Sequence, residues 1–403
     1  MIAPSRFRKK ILFSLWLAVL PLAGCWDRIE VNDLILITAA ALDKPEEDKG
    51  VELSIQVFIP RGGGGEMSGM KTEGSGGDEN TFVRSAVGVT LADAMAKLQE
   101  KLPRRIFWGH NEVLIIGEEL AKEGFREHID FWMRYTEPRE RADVFVSKGK
   151  AKEILMLIPK IERNSSEVLR ELAEMRTGIK VTVKDLAQML TGESGTAALP
   201  WVEKLPSSNE EKDEKKSIGY IYGTALFKKD RMVGWINDRV TRGMLWLRNE
   251  IETALITVKP KEAEEGLVSL NLVKSNSQLI PQIQNGKWSM TVKIDTEVDV
   301  IQNTTNLEFT NPKFLQEVEK AVAKDIEDRE RMALAQAREW NVDIFGFAET
   351  FHRKYPQVWK KEKDRWDQIF PEVEVKYETK VKVARLGLST IGTTKPEEEV
   401  KQK

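Results

Sequence analysis

The sequence predicts an α+β protein of several domains, three by its composition breaks, with antiparallel or mixed sheets, packed helices and one long helix toward the C-terminal end. Three observations predict it. Apolar runs of strand length fall in two groups, separated by the helix-rich stretch 151–190. Beyond Asn311 the patterns are helical one after another. The last patterned segment, Val373 to Val383, alternates apolar and charged residues as a long strand with one wet face.

The elements follow in order. Arg6, Arg8, Lys9 and Lys10 precede the uncharged apolar run Ile11 to Leu20, the length of a signal core and too short to span a bilayer. Pro21-Leu22-Ala23-Gly24-Cys25 follows, and Leu-Ala-Gly-Cys after such a core resembles the bacterial lipobox. The expected reading is a lipoprotein signal peptide over 1–24, cleavage between Gly24 and Cys25, and a diacylglycerol on the Cys25 thiol. Trp26 comes next, either resting at the membrane interface as a second contact or buried in the first domain. Val31 to Leu42 and Val51 to Ile59 read as strands about a Lys44–Gly50 turn. Arg61 to Asn80, with its glycine runs, has too little apolar matter to order itself. Leu91 to Leu102 reads as a helix with Leu91, Met95 and Leu98 on one stripe, and Val113 to Gly117 as a buried strand.

The domains expected from this are an N-terminal α/β unit over 25–150, a small mainly helical unit over 151–206, a charged linker over 207–217 and a C-terminal α+β unit over 218–388. A disordered tail over 389–403 closes the chain. Tyr220 to Phe227 and Met232 to Ile236 flank Lys-Lys-Asp-Arg as a hairpin with a four-residue connection. Met290 to Val300 alternates as a strand, and the C-terminal sheet is expected to be antiparallel. Asn311 and Pro312 are an N-cap and an N1 proline. The helix they open carries Leu315, Val318, Val322, Ile326, Ala333, Ala337 and Trp340 on one stripe and should run about 43 Å. Two shorter helices break at Pro356.

Bulk numbers exclude several classes. With a formal net charge of −2 over 403 residues, no basic field points to nucleic acid, and no basic run is interleaved with aromatics. Mean hydropathy of −0.39 describes a water-soluble body behind the signal. Cys25 is the only cysteine, so no internal disulfide can form, and with Cys25 lipidated the mature chain has no free thiol for a cysteine nucleophile or a thiolate metal site. No cofactor is expected. The histidines are three, His110, His128 and His352, and none has zinc-ligand spacing. His110-Asn111-Glu112 imitates the start of a zinc deaminase motif whose cysteine partner cannot exist here. Gly65 to Thr72 resembles a phosphate loop only loosely, and no Gly-x-Ser-x-Gly elbow is present. Trp340, Trp359 and Trp366 sit at helical spacing as core residues. The chain reads as a non-enzyme.

Several blocks together resemble a known family. They are Gly24 to Leu34 (G-C-W-D-R-I-E-V-N-D-L), Arg104 to Ala121 (R-R-I-F-W-G-H-N-E-V-L-I-I-G-E-E-L-A) and Gly223 to Leu247. Asp343 to Lys360, Trp366 to Pro371 (W-D-Q-I-F-P) and Arg385 to Leu388 complete the set. In order and spacing they resemble the Ger(x)C family, the C subunits of spore nutrient-germinant receptors. The resemblance implies a three-domain lipoprotein without known catalytic activity on the outer face of the spore's inner membrane. It further implies integral-membrane A and B subunits as partners, with nutrient binding attributed mainly to the B subunit. Lipidation of Cys25 is the one residue role it carries over. Ala348, where the pattern leads one to expect glycine, and the glycine-rich Arg61–Asn80 loop depart from the family. A free-standing solute-binding lipoprotein and an anchored cell-wall hydrolase are the alternatives; the first calls for two lobes of repeated βα units, the second for an acid/base pair or metal in a cleft.

Overall fold

The structure is a computed structural model that describes residues 33–46, 49–58, 81–205 and 217–387. Its fold is α+β with two sheets. The first sheet contains β1 (Leu34–Asp43), β2 (Val51–Phe58), β3 (Thr81–Gly88), β4 (Arg105–Phe107), β5 (Val113–Gly117), β6 (Asp143–Ser147), β7 (Thr196–Lys204), β8 (Gly219–Lys228) and β9 (Arg231–Asn237). Their order is β3-β2-β1-β5-β6-β7-β8-β9, with the short β4 beside β1. The neighbours β1, β5, β6 and β7 run parallel, while the hairpins β2–β3 and β8–β9 flank them antiparallel.

Parallel strands bury both faces, and the residues alternate between two cores accordingly. Ala39, Ala41, Val113, Ile115 and Phe145 face α4 (Ala151–Leu155) and α5 (Ser165–Glu174). Ala40, Leu42, Leu114, Ile116, Val144 and Val146 face the other way, toward α1 (Leu91–Glu100), α2 (Glu118–Glu123), α3 (Arg126–Arg134) and α6 (Val183–Thr191). At the end of β1 the buried Asp43 accepts the Ala151 and Lys152 amides at 2.7 and 2.9 Å, seating α4 on the sheet.

The expected 207–217 boundary does not part the sheets. β7 and β8, on either side of it, pair antiparallel over nearly their whole lengths, so β8 and β9 complete the first sheet. For the same reason 151–206 is not a separate helical body: α4, α5 and α6 pack on the sheet that β7 joins. The β8–β9 connection is also shorter than expected. Lys228 pairs with Arg231, leaving a two-residue turn in which Lys229 takes φ +57°.

After α7 (Asp238–Leu247) the second sheet is ordered β10 (Leu255–Val258), β11 (Val268–Gln284), β12 (Lys287–Asn303), β13 (Glu374–Arg385). β11 and β12 form a hairpin of 17-residue strands across Asn285-Gly286, both at positive φ (50° and 76°). Such a turn favours asparagine and glycine, and it matches the sheet's twist. The sheet is mixed, because β13 lies parallel to β12. The intervening crossover of helices returns the chain to its starting end, which a parallel neighbour requires.

That crossover begins with α8 (Pro312–Glu339), 28 residues or about 42 Å. Asn311 caps it, its side chain accepting the Lys313 amide at 2.9 Å, with Pro312 in the first turn. Val318, Val322, Ile326, Ala333 and Ala337 are buried as the stripe predicts, joined by Phe314 and Glu330, while Leu315 is half-buried. α7 crosses α8 at Gly243, where an added Cβ would stand 2.1 Å from the Arg329 carbonyl oxygen. Three short helices follow, α9 (Phe347–Lys354), α10 (Pro356–Glu362) and α11 (Trp366–Ile369). Trp359 and Trp366 are core, and Trp340 is the half-buried C-cap of α8.

Candidate functional site

The residues expected to carry the anchor, Gly24, Cys25 and Trp26, lie outside the described residues, as do the Arg61–Asn80 loop, the tail beyond 388 and all of the charged linker except Ser217. What the structure fixes is where β1 begins relative to Cys25. Leu34, the first residue of β1, is nine residues past Cys25 and pairs in register with Arg105 of β4.

The family-like block Asp343 to Lys360 builds a junction between the two sheets. The buried Asp343 carboxylate accepts three backbone amides, from Phe345 and Phe347 on Oδ1 (3.4 and 3.1 Å) and from Ala348 on Oδ2 (2.7 Å), closing the turn that opens α9. Burial outweighs these bonds and pushes the carboxyl up to about 7. Ala348 fits where glycine was expected, since its φ is not positive and its methyl is fully buried.

Backbone and side-chain bonds then tie this turn to the α6–β7 loop, Gly192 to Gly195. Thr196 donates its hydroxyl to the Asp343 carbonyl at 2.6 Å, and Arg248, after α7, reaches the Ile344 carbonyl at 2.7 Å. Glu193 grips the next two helices at once. One oxygen lies 2.9 Å from His352 Nδ1, and the other accepts the Trp359 indole N–H at 2.7 Å. The two rings stack, centroids 6.2 Å apart. Beneath them Trp288, Phe351, Trp366 and Phe370 form a continuous aromatic cluster. These bonds link α9 and α10 to the loop that leads into β7.

Nothing in this arrangement assembles a catalytic set. His352 is engaged with Glu193, His110 is an exposed edge-on partner of Phe107, and burial pushes His128 down from the ordinary imidazole range. Asp143 is raised to about 6, chiefly by burial, with Lys180 opposing. Among the described residues no three histidine, cysteine or acidic side chains gather as metal ligands, and no helix is long and apolar enough to cross a membrane. A cleft of about 630 Å³ opens between α8 and the second sheet, with Thr296, Thr379 and Val381 on its floor and Gln316, Glu319 and Ala323 on its wall.

Sequence reasoning missed the Glu193 clamp and the Asp343 turn. Glu193 and Trp359 are 166 residues apart, and no local pattern pairs them. Asp343 opens the family-like block, and an acid just ahead of Phe345-Gly346-Phe347 was the available cue.

Comparison with known proteins places this architecture. The chain matches the family described as spore germination protein N-terminal domain over residues 27–204. It matches the family described as spore germination B3/GerAC like, C-terminal, over 222–387. Spore germination protein KC of Bacillus subtilis (strain 168) is 29% identical over 394 residues, spanning 92% of this chain and 94% of that one. Spore germination protein B3 of the same organism is 23% identical over 383 residues, with 93% and 96% covered. The crystal structure of the GerBC protein superposes with a TM-score of 0.55 at 17% identity, over 86% of this chain and 97% of that one, which shows a shared fold. With both characteristic halves present in tandem and in order, this chain belongs to the Ger(x)C family of spore germination proteins.

Proposed function

We propose that this chain is the non-catalytic C subunit of a spore germinant receptor, held by a lipid on Cys25 at the outer face of the spore's inner membrane. There it acts as a scaffold and signalling partner for integral-membrane A and B subunits in nutrient-triggered germination. One observation carries the reading: two spore germination family matches cover 27–204 and 222–387, starting two residues after Leu-Ala-Gly-Cys. The junction around Glu193 and Asp343 supports a role in transmitting displacement rather than in bond chemistry.

Two or more acyl chains are needed for stable attachment, because each buried methylene contributes about 0.8 kcal/mol and a single chain holds only marginally. Cleavage between Gly24 and Cys25 leaves Trp26 beside the lipid, where an indole favours the headgroup zone. A strain carrying Cys25→Ala should lose nutrient-triggered germination and keep its response to non-nutrient triggers. A normal nutrient response in that strain refutes the anchored-receptor reading.

A further inference from the structure

We infer that the exposed aromatic cluster at the carboxyl ends of β6 and β7 is a binding platform for a neutral saccharide. The inference goes beyond the receptor reading and stands without it, since it rests on side chains of the first sheet alone.

Three observations converge. The first is a built surface. Trp201 on β7 and Trp235 on β9 stack across β8, their ring planes 2° apart and their centroids 6.1 Å apart. β8 places Gly223 and Ala225 opposite them, residues small enough for the indoles to meet. Trp201 is buried and backs one face of Trp235, which is still 40% exposed. Tyr222 meets Trp235 at 5.4 Å and is 37% exposed, and Tyr220 meets Tyr222 edge-on at 5.9 Å.

The second is the way these rings come to face water. Each of the two strands carries a bulge here. Tyr222 is the extra residue of β8, opposite the step from Trp201 to Val202, and Val233 is the extra residue of β9, opposite the step from Leu226 to Phe227. Bulges re-aim the side chains around them and are over-represented beside functional sites. The cluster also lies just past the end of β6, where Lys148 donates its amide to the Val202 carbonyl at 2.9 Å. Ligands of sheets with parallel strands collect outside the carboxyl ends of those strands.

The third is polarity. Lys148 and Glu203 pair at 3.2 Å, and the other Glu203 oxygen accepts the Trp201 indole N–H at 3.0 Å. Lys204, next on β7, is not free either. Charge at the cluster is thus paired, and nothing there selects an ion. The Tyr220 and Tyr222 hydroxyls and the Trp235 indole N–H have no hydrogen-bond partner among the described residues. An open ring face bordered by neutral donors and acceptors fits a pyranose. The slightly positive C–H face of the sugar lies on the negative indole face, and its hydroxyls bond with the tyrosines and with Glu203, which stands opposite Tyr220. Stacking of a flat base would use the ring face alone and leave that border idle.

The test uses the chain from Trp26 onward, which contains every described residue and carries no lipid, in saturation-transfer NMR with cellotetraose, chitotetraose and maltotetraose in turn. At least one should receive saturation at its ring C–H protons. Trp235→Ala should weaken that binding about tenfold or more, as loss of an aromatic anchor does, and Tyr222→Phe several-fold, through the hydroxyl alone. Leu255→Ala, an exposed apolar position on the second sheet, should leave it unchanged. Circular dichroism verifies that each variant is folded. Transfer to none of the three saccharides, or a folded Trp235→Ala variant that binds as tightly as the unaltered chain, overturns the platform. Transfer to adenosine but to no saccharide overturns it as well, and makes the cluster a base-stacking surface.

Discussion

Replacing Glu330 by glutamine should make the protein more stable at neutral pH, by an amount that grows as pH rises. Glu330 sits on the buried stripe of α8 with no exposed surface, and neither carboxyl oxygen has a hydrogen-bond partner among the described residues. Beside it the α7 backbone touches α8 at Gly243. The charged and titratable groups near it are Glu327 and Arg331 on its own helix and Tyr377 on β13, over whose ring Arg331 lies at 4.3 Å. Burial, reinforced by Glu327, pushes the carboxyl from 4.5 up to about 9, so it stays protonated in the folded protein through neutral pH. Unfolding releases that proton whenever the pH exceeds the unfolded value. Stability is therefore complete below about pH 4.5 and declines by roughly 1.4 kcal/mol per pH unit up to about pH 9. At pH 7 the loss is about 3 kcal/mol, a large share of a domain's stability. Glutamine keeps the shape and has no proton to lose. Urea unfolding followed by tryptophan fluorescence should show the two proteins within about 1 kcal/mol at pH 5 and apart by on the order of 4 kcal/mol at pH 8. Parallel pH profiles for the two would refute the reasoning.

Other perturbations test the packing around the junction. Gly243→Ala should cost about 3 kcal/mol, read as a lower thermal midpoint, because the added methyl meets backbone rather than a side chain that can yield. Asp343→Asn should cost about 2 kcal/mol and speed hydrogen exchange at the Phe347 and Ala348 amides, since an amide offers one acceptor oxygen where the carboxylate uses two. Glu193→Ala should cost about 2 kcal/mol and shift the indole N–H resonance of Trp359 alone among the buried tryptophans.

Much of the fold was legible because local chemistry agreed with it. β1, β2 and β5 followed from apolar runs, and α8 from Asn311-Pro312 and a stripe at three- and four-residue steps. That stripe also contained its own surprise: the step from Ile326 to Ala333 passes through position 330, so the period already placed a glutamate in the core. β11 was overlooked although Asn285-Gly286 is the strongest short cue for a hairpin, because Ser275 and Ser277 interrupt its apolar alternation on the core face. Pairing across a gap is a different matter. Whether β8 belongs with β7 or with the strands after it depends on contacts that no local pattern encodes, and a charged linker looks the same in either case. The bonds across the junction were illegible for the same reason, those of Arg248, Thr196 and Glu193 joining residues 96 to 166 positions apart.

The partnership of β7 with β8 has a practical side. The two family-matched stretches suggest that the polypeptide can be divided in the 206–216 segment, yet each piece would then lack part of its neighbour. The front piece would end in a naked strand edge, a ready template for clumping with its own kind, and the back piece would carry an orphan hairpin with Phe227 and Ile236 stripped of cover. Division between Leu247 and Leu255 leaves both sheets whole. Inheritance follows the same seam: an exchange between relatives at the charged segment swaps half a sheet, while one a few dozen residues later swaps a complete layer.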